Sequence, residues 1–260
     1  FSGAPTPYAS IVTTNGFTPV TVDTDWQNRI VNAANFYIGN NGKINFNRNL
    51  TAVNGNIVAQ NNSIVNLGTT EKFTEEVDST IPTTRYEGRV VLRDNAILNV
   101  GKAHLNTSFE GDNNSTINLN NNSIVTLNDN SSVGKLTMKK GSVVNLNPNS
   151  EFSRFNTLTV NNSLTGEGTF RFSTDLAKMV ANKLVLNGTV NGNYEISLLD
   201  SGREPTSNKG NISIIEVKQP NQNYNFTLNK GHVDAGAYRY SFANGVLTAE
   251  KQNVIKENID

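Results

Sequence analysis

The segment Leu199-Asp200-Ser201-Gly202 holds the acid, serine and glycine that surround the nucleophile in trypsin-like enzymes. In that chemistry a histidine removes the serine proton and is itself held by a carboxylate. Here the first glycine of the motif is replaced by Leu199, and neither His104 nor His232 stands in a recognisable triad context. The sequence therefore predicts a turn at this position, no catalytic residue, and a chain that is not an enzyme.

Metal ligands are equally sparse. The chain has two histidines and no cysteine, so the usual zinc ligand sets are missing. Asp112, Asp129 and Asp234 lack the spacing of a calcium loop, and the acidic run near Glu75 is interpreted as a solvated loop. The sequence predicts no metal and no cofactor.

The charge balance argues against two classes of partner. The chain has 22 basic and 22 acidic residues, so no field favours nucleic acid or an anionic membrane. Without cysteine there are no disulfides, which suits a protein that crosses an oxidising compartment unfolded. No apolar run approaches the length of a membrane span, and no signal peptide stands at Phe1. We expect a soluble excised piece or a mature fragment.

Asparagine replaces much of the apolar mass that a compact globule needs. It supplies about one residue in six, while hydrophobic residues make up 36%. A chain this polar could be unordered, but its Val, Ile and Leu recur in strand phase. The pattern therefore predicts a narrow core between strands.

A repeat of about 19 residues covers the chain from Lys43 to Leu146. One series comprises residues 96–100, 115–119 and 134–138, a second comprises 123–127 and 142–146, and 63–67 is an earlier copy. The first position is small and the third and fifth are apolar, so these three share the core face of a strand. Two interleaved series at one interval require several strands per repeat. The repeat predicts a β-helix of about ten coils, which would form a rod about 50 Å long.

The fourth position of each copy is commonly Asn or Thr and points outward. Because stacked coils lie about 4.8 Å apart, such asparagines could form amide ladders along the rod. We expect Asn66, Asn99, Asn118 and Asn145 to form this ladder and to be the candidate binding residues. The surface around them is expected to be flat and polar, with no concavity for a small ligand. An equally open alternative is that these amides serve only the fold and its solubility.

Both ends of the repeat are irregular. Thr24 is a candidate cap of a short helix, with a strand as the alternative. The residues along one face of that helix would be Trp26, Ile30, Ala33, Ala34 and Tyr37. Trp26 is interpreted as a plug on the end of the core. Residues 71–85 break the repeat and predict a loop that projects from one coil.

The last hundred residues contain more aromatic side chains and read as short strands joined by turns. Gly166-Glu167-Gly168 is predicted to be a tight turn between two strands. Residues 183–186 and 194–198 are predicted to pair around a turn at Asn191-Gly192-Asn193. Residues 212–215, 224–228 and 238–242 complete a cap, and residues 249–260 are charged and permit a helix.

Three phrases of this block carry a family resemblance: LTVNNSLTGEGTFRF, NKLVLNGTVNGNYEISLLDSGREP and HVDAGAYRYSF. Over residues 154–248 they resemble the end of an autotransporter passenger, the pertactin-like or autochaperone region. RFNTLTV, GREP and VDAGA are most similar to the Hap adhesin and immunoglobulin-A protease type of serine-protease autotransporters. The resemblance implies an all-β chain, a right-handed parallel β-helix with a carboxy-terminal capping block, on the surface of a Gram-negative bacterium.

The resemblance also suggests a division of the chain. Residues 1–40 would be a lead-in, 41–153 an Asn-rich shaft, 154–248 the autochaperone block, and 249–260 the start of a linker to a translocator barrel. The residues assigned to folding are Gly166, Gly168, Phe170, Gly236, Tyr238 and Tyr240. No counterpart of the trypsin-like domain of the immunoglobulin-A protease type lies in these residues.

Three functions remain as hypotheses. The leading one is the stem of a secreted surface passenger that acts in adhesion, self-association and passenger folding. Its partners would be copies of itself, host surface or matrix components and, during secretion, its own translocator barrel. One alternative is a carbohydrate-active β-helix enzyme with paired carboxylates, although no stacked cluster of Asp, Arg or Lys stands out. The other is a purely structural stem that presents an upstream serine protease.

Overall fold

The computed structural model describes residues 10–13, 20–22, 30–46, 50–68, 83–147, 152–206, 210–220 and 222–251. These residues contain no α-helix and one 3-10 turn, Asn229–Gly231. The predicted loop at 71–85 falls outside this part of the chain except for its end, and Trp26 lies outside it altogether.

The strands of the first part of the chain are short and regularly spaced. They are β1 Ser10–Thr13, β2 Val20–Val22, β3 Ile30–Ile38, β4 Lys43–Phe46, β5 Ala52–Ala59, β6 Ile64–Leu67, β7 Thr84–Leu92, β8 Ile97–Val100, β9 Ala103–Gly111, β10 Thr116–Leu119, β11 Ile124–Leu127, β12 Ser131–Met138 and β13 Val143–Asn145.

The second part contains two much longer strands. Its strands are β14 Thr157–Asp175, β15 Val180–Ala181, β16 Lys183–Leu186, β17 Thr189–Asp200, β18 Asn211–Ser213, β19 Ile215–Val217, β20 Asn223–Leu228, β21 His232–Ala235, β22 Tyr238–Ala243 and β23 Val246–Lys251.

Parallel pairing between successive coils builds three faces of a β-helix, as the repeat predicts. Face A stacks β2, β4, β6, β8, β10 and the later parts of β12, followed by the middle of β14 and the start of β17. Face B stacks the first halves of β3, β5, β7 and β9 with β11, β13, the ends of β14 and β17, and β20. Face C stacks β1, the second halves of β3, β5, β7 and β9, and then β12, β14, β16 and β19. Long strands turn a corner and contribute to two faces, and β14 turns two corners and contributes to all three.

The coil length varies more than the repeat suggests. Hydrogen-bonded neighbours on face A are 19 residues apart for Asn99 and Asn118, but 21 for Asn45 and Asn66 and 33 for Asn66 and Asn99. The prediction of 19 residues is confirmed for the pairs β7–β9, β8–β10, β10–β12 and β11–β13, and it is wrong for the other described coil-to-coil pairs, such as β4–β6 and β9–β11. Most extra residues lie between strands, and the pairing register shifts inside the β3–β5 and β12–β14 pairs.

Small residues at the first repeat position sit at buried corners of the coil. The hydroxyls of Ser115, Ser123 and Ser142 donate to backbone carbonyl oxygens three residues earlier, at Asp112, Asn120 and Lys139. All three serines are fully buried. Serine therefore does more than leave space at the corner, because it also satisfies a turn carbonyl that the strand ladder does not reach.

Of the two alternatives for residues 24–37, the strand is confirmed for the described part, which is β3, and the helix is wrong there. Val31 and Ala33 point inward before a bend, and Phe36 and Ile38 point inward after it. The register shifts between Asn32 and Asn35. This shift breaks the two-residue alternation and produces a three-residue step, which mimics helical spacing.

The two predicted glycine turns are also wrong. Gly166-Glu167-Gly168 lies inside β14, and Asn191-Gly192-Asn193 lies inside β17. Gly166 and Gly192 have φ of 112° and 116°, and a side chain at either would collide with a carbonyl oxygen of the preceding coil. These glycines bend a continuing strand where the coil turns a corner, and they do not reverse it.

A second, antiparallel sheet follows the last rungs. It has the order β18-β23-β22-β21 and contains the predicted strand at 238–242, whereas residues 223–228 form β20 of the rod. Residues 246–251 form β23, so the helix-permissive reading is wrong for 249–251. The described residues contain no helix long and apolar enough to cross a membrane.

Candidate functional site

Three of the four predicted ladder residues form one column on face A. The amide nitrogen of Asn66 donates to Asn45 at 2.8 Å, that of Asn99 to Asn66 at 2.9 Å, and that of Asn118 to Asn99 at 2.9 Å. The column continues on the next rungs as Thr137 and Thr165, whose hydroxyls lie 3.4 Å apart. The polar groups of these side chains therefore form hydrogen bonds with one another along the column.

Pointing outward does not leave all of these amides accessible. Asn66 is only 1% exposed, because amides are stacked against it from both neighbouring rungs. Asn99 and Asn118 are half-buried. The expected outward surface thus begins at Asn99 and does not include Asn66.

The structure does not bring Asn145 into this column. It lies in β13 on face B, in register with Thr126 and Arg171. Its side-chain oxygen accepts a hydrogen bond from the Asn147 amide at 3.1 Å. The two repeat series of the sequence belong to two different faces, which is why one ladder cannot include members of both.

Other amide ladders were missed. Asn54 donates to Asn32 at 2.8 Å, Asn187 to Asn161 at 2.8 Å, and Asn225 to Asn193 at 2.9 Å. The members of these pairs are 22, 26 and 32 residues apart. A search at a fixed interval of 19 residues could not find them, whereas a search for Asn at variable coil lengths could have.

The Leu199–Gly202 segment ends β17 and is held by the end of β14. The Ser201 hydroxyl donates to the Asp175 carboxylate at 3.0 Å, and Arg203 donates to the other Asp175 oxygen at 2.6 Å. Asp200 accepts from the Thr174 hydroxyl and from the Leu176 amide, both at 2.9 Å. We call this set, Thr174, Asp175, Asp200, Ser201 and Arg203, the clasp. The Asp175 side chain is fully buried, so the clasp supplies it with the charge partner that burial demands.

The residue that follows the clasp touches the antiparallel sheet. Glu204, the residue after Arg203, lies against Gly236 in the turn between β21 and β22. Tyr240 of β22 is fully buried, and its pKa is raised by burial and, secondarily, by the charge of Asp200. The three phrases singled out in the sequence therefore meet in space where the rod ends.

The remaining residues assigned to folding lie on either side of this junction. Gly166, Gly168 and Phe170 are in β14, and the Phe170 ring is 5.7 Å from the Tyr194 ring on the next rung. Tyr238 in β22 is half-buried. Their role in folding stays a prediction.

The candidate chemistry is not assembled around Ser201. Its hydroxyl is bonded to Asp175, and its oxygen accepts from the Arg203 amide at 3.2 Å. His104 is in β9 in register with Arg85 and Ile124, and His232 is opposite Ser241. Burial, followed by the charge of Arg85, lowers the pKa of His104. Among the described residues, no group of acidic or histidine side chains could hold a metal ion.

Family models match both parts of the chain. The model described as Pertactin matches residues 133–252. The model for the PIC/HAP1/IgA0 second beta-solenoid repeat region matches residues 1–79.

The similar curated proteins are long autotransporters. An immunoglobulin A1 protease autotransporter of Haemophilus influenzae is 30% identical over 276 residues, which cover 94% of this chain and 16% of that protein. An IgA-specific serine endopeptidase autotransporter of Neisseria gonorrhoeae is 27% identical, with 85% and 16% covered. An adhesion and penetration protein autotransporter of Haemophilus influenzae is 36% identical over 148 residues, with 56% and 10% covered. The chain thus spans 16% of the length of the first of these relatives.

The crystal structure of the Haemophilus influenzae Hap adhesin has the same fold, with a TM-score of 0.54 and 26% identity over 88% of this chain and 25% of that one. The parallel β-helix and these matches define the class of protein: the chain is an autotransporter passenger region, secreted or exposed at the surface of the outer membrane. Within that class it is related to the Hap adhesin and the IgA protease autotransporters, and the region it matches is their β-solenoid stem.

Proposed function

We propose that this chain is a non-enzymatic stem that supports adhesion by self-association and helps the passenger to fold during secretion. The observation that carries the proposal is the unbroken stack of parallel rungs from β1 to β20, which ends in the clasp and the antiparallel sheet. A rod of this kind displays a long polar surface at a distance from the cell. The name of one relative, an adhesion and penetration protein, supports the adhesive role.

Solvent access decides which asparagines could act in adhesion. Asn66 is buried and has two amide partners, so we assign it to the fold. Asn118 and Asn145 are half-buried, lie on two different faces, and retain part of their surface for contacts with another copy. A hydrogen bond across such a contact would contribute about 0.5 to 1.5 kcal/mol. Many copies on one cell could still hold cells together, because multivalent display strengthens weak contacts.

Host surface or matrix components are proposed as further partners of the same polar faces. The balanced charge of the chain favours contacts made by hydrogen bonds over contacts that depend on a strong field. These contacts would be weak one by one, as in self-association.

The folding role rests on the end of the rod. The clasp joins the ends of β14 and β17, and Glu204, the next residue, lies against the turn of the antiparallel sheet, so the last rungs and the sheet should form as one unit. Such a unit could serve as a template on which the preceding rungs add, because each rung needs a paired neighbour.

The adhesive role can be tested on cells that display the full-length protein. Replacing both Asn118 and Asn145 with Lys should reduce cell aggregation, because like charges on facing copies repel. Asn114→Lys, in an exposed turn, is the matched control and should leave aggregation unchanged. Circular dichroism of the purified chain should be the same for all three proteins.

The purely structural stem is a second candidate, and the names of two relatives, an immunoglobulin A1 protease and an IgA-specific serine endopeptidase, favour it. Under this alternative the stem only presents an upstream protease domain. The double Lys variant would then aggregate as strongly as the natural protein, and that result would contradict the adhesive proposal.

A further inference from the structure

A groove lies on the outside of the last rungs, at the corner between faces A and B. It has a volume of about 560 Å³. Its walls are formed by β14, β17 and β20, and the turn residues Lys140 and Gly141 lie at one end. The expectation of a flat flank is therefore wrong for this part of the rod. The groove lies directly after the positions in β14 and β17 where Gly166 and Gly192 have positive φ.

The groove has two walls of aligned polar side chains. Glu167, Asn193 and Asn225 are in register along one wall, and Thr169, Glu195 and Thr227 along the other. The floor between them includes Gly168 and the buried Tyr194. Since successive rungs lie about 4.8 Å apart, each wall presents one hydrogen-bonding group about every 4.8 Å along the rod axis.

The charged side chains of the groove are available for a ligand. Within the described residues, Lys140, Glu167 and Glu195 make no hydrogen bond or ion pair, whereas Glu110 and Asp129 elsewhere on the rod are paired with arginines. All three groove residues are exposed. Asn225 donates to Asn193 at 2.9 Å, which fixes the orientation of both amides. The walls thus hold two free carboxylates, one ammonium group, two oriented amides and two hydroxyls.

The groups that line the groove indicate whether its ligand is a peptide or a sugar chain. An extended peptide usually adds to a free strand edge and places alternate side chains in pockets. Here β14 and β17 are paired on both sides, and the Tyr194 ring is only 2% exposed. The groove offers side-chain donors and acceptors at a regular spacing, without a strand edge or an apolar pocket along β14 and β17. This arrangement fits hydroxyl groups that repeat along a sugar chain.

We propose that this groove binds a linear, neutral, hydroxyl-rich oligosaccharide that lies along the rod axis. The carboxylates of Glu167 and Glu195 would accept hydrogen bonds from sugar hydroxyls, and Lys140 would donate to an oxygen at one end. Two carboxylates against one ammonium group disfavour an anionic glycan. The proposal is independent of self-association through Asn118 and Asn145, which lie outside the groove.

The test is a titration of the purified chain, followed by amide chemical shifts and by calorimetry. The main probe is the tetramer of β-1,4-linked N-acetylglucosamine. A hyaluronan tetrasaccharide tests an anionic sugar, and tetralysine tests attraction to the carboxylates alone. The variants are Glu167→Gln and Glu195→Gln, with Glu87→Gln as control. Glu87 is exposed on the outside of face B, in register with Asn106, and does not line the groove.

We expect saturable binding of the neutral tetramer, with shifts at residues of β14, β17 and β20. Each groove variant should weaken binding about tenfold, the loss expected for one hydrogen bond to a charged group, and Glu87→Gln should not change it. The proposal is overturned by the absence of saturable binding, by tighter binding of hyaluronan, by binding of tetralysine alone, or by equal weakening in the control. Unchanged circular dichroism of the variants shows that a loss of binding does not come from unfolding.

Discussion

Single polar groups determine how well each rung fits its neighbours. In the ladder of face A, Asn99 has a partner on each side, so its side chain completes two hydrogen bonds at once. Tyr86 and Tyr240 are both fully buried, but only one of them has a hydrogen-bond partner for its hydroxyl within the described residues. The hydrogen-bond partners of these side chains therefore lead to predictions about stability that could not be made from their burial alone.

Asn99→Ala should lower the free energy of unfolding by about 2 kcal/mol, because it leaves the buried Asn66 oxygen without a donor. Urea denaturation of the purified chain measures this change. Asn114→Ala, an exposed turn residue whose side chain makes no bond within the described residues, is the control and should change stability little. Equal effects of the two variants would show that the ladder adds nothing to stability.

The two tyrosines should respond in opposite ways to loss of the hydroxyl. Tyr86 donates to the Gly55 carbonyl oxygen at 2.7 Å, so Tyr86→Phe should lower stability by about 1 kcal/mol. The Tyr240 hydroxyl has no partner in the described part of the chain, so Tyr240→Phe should leave stability unchanged or raise it. Thermal unfolding of the two variants tests the contrast. A loss at Tyr240 as large as that at Tyr86 would mean that its hydroxyl has a partner after all.

At the scale of elements, the strands and their stacking could be predicted from sequence, whereas the bends could not. The alternation of residues 96–100 and 115–119 places the correct side chains inside, because burial on one face of a strand has a period of two. A glycine with positive φ is needed both in a hairpin and at a corner of a continuing strand. The residues around Gly166 and Gly192 therefore resemble turns in sequence, and the sequence pattern does not predict the groove that lies beside them.

Other parts of the candidate site depended on distant pairing. The hydrogen bond between Arg203 and Asp175 joins residues that are 28 positions apart in the sequence. No local sequence pattern predicts it. Asn145 was assigned to the wrong column because the sequence shows two series without showing which face each one occupies. The alternation of apolar and polar residues predicts which side chains of a strand point inward. Only the coil lengths predict which strands are its neighbours.

The clasp should contribute measurably to the stability of the rod end. Arg203→Met removes the cation beside the buried Asp175 carboxylate and should lower the free energy of unfolding by about 2 kcal/mol. The Arg203 side chain is half exposed, so this loss should be smaller than for a fully buried pair. Arg171→Met, an exposed position of β14, is the control, and Arg203→Lys should restore part of the loss. Hydrogen exchange should show the largest change at Asp175 and Leu176. No difference between Arg203→Met and Arg171→Met would contradict the clasp.

The β21–β22 hairpin should be sensitive to acid. Its Asp234 and Arg239 are opposite each other, and the hydrogen bond from Arg239 lowers the pKa of Asp234. A lowered pKa in the folded state adds stability above the unfolded pKa, near about 4, and this stability is lost as the pH falls through the folded value. The melting temperature of the natural chain should therefore approach that of Asp234→Asn as the pH falls below about 4. A constant difference between them would contradict the prediction, and the difference itself should be small because both side chains are largely exposed.

At the scale of the molecule, stability should vary along the rod. Face B has nine rungs within the described residues, which gives a length of about 40 Å at the spacing of paired strands. The first coils contain the fully buried Phe36, Phe46 and Tyr86, and the last ones contain Phe170 and Tyr194. The middle coils are filled mainly by aliphatic residues such as Ile117, Val125 and Leu136. Aromatic burial thus concentrates toward both ends.

Hydrogen exchange along the rod should reveal this distribution. The block from Arg154 to Leu247 should exchange more slowly than the coil around Val125 and should unfold last. Larger buried aromatic side chains remove more apolar area from water, at about 25 cal/mol per Å², and the antiparallel sheet adds a second packed layer at this end. Slow exchange reports the opening free energy of each unit, so the strands near Phe170 and Tyr240 should retain their protons longest. A piece comprising residues 154–251 should also fold alone, as judged by a β-type circular dichroism spectrum and a cooperative melt. Better protection at Val125 than at Phe170 would show that the shaft, and not the carboxy-terminal block, is the stable part on which folding during secretion could build.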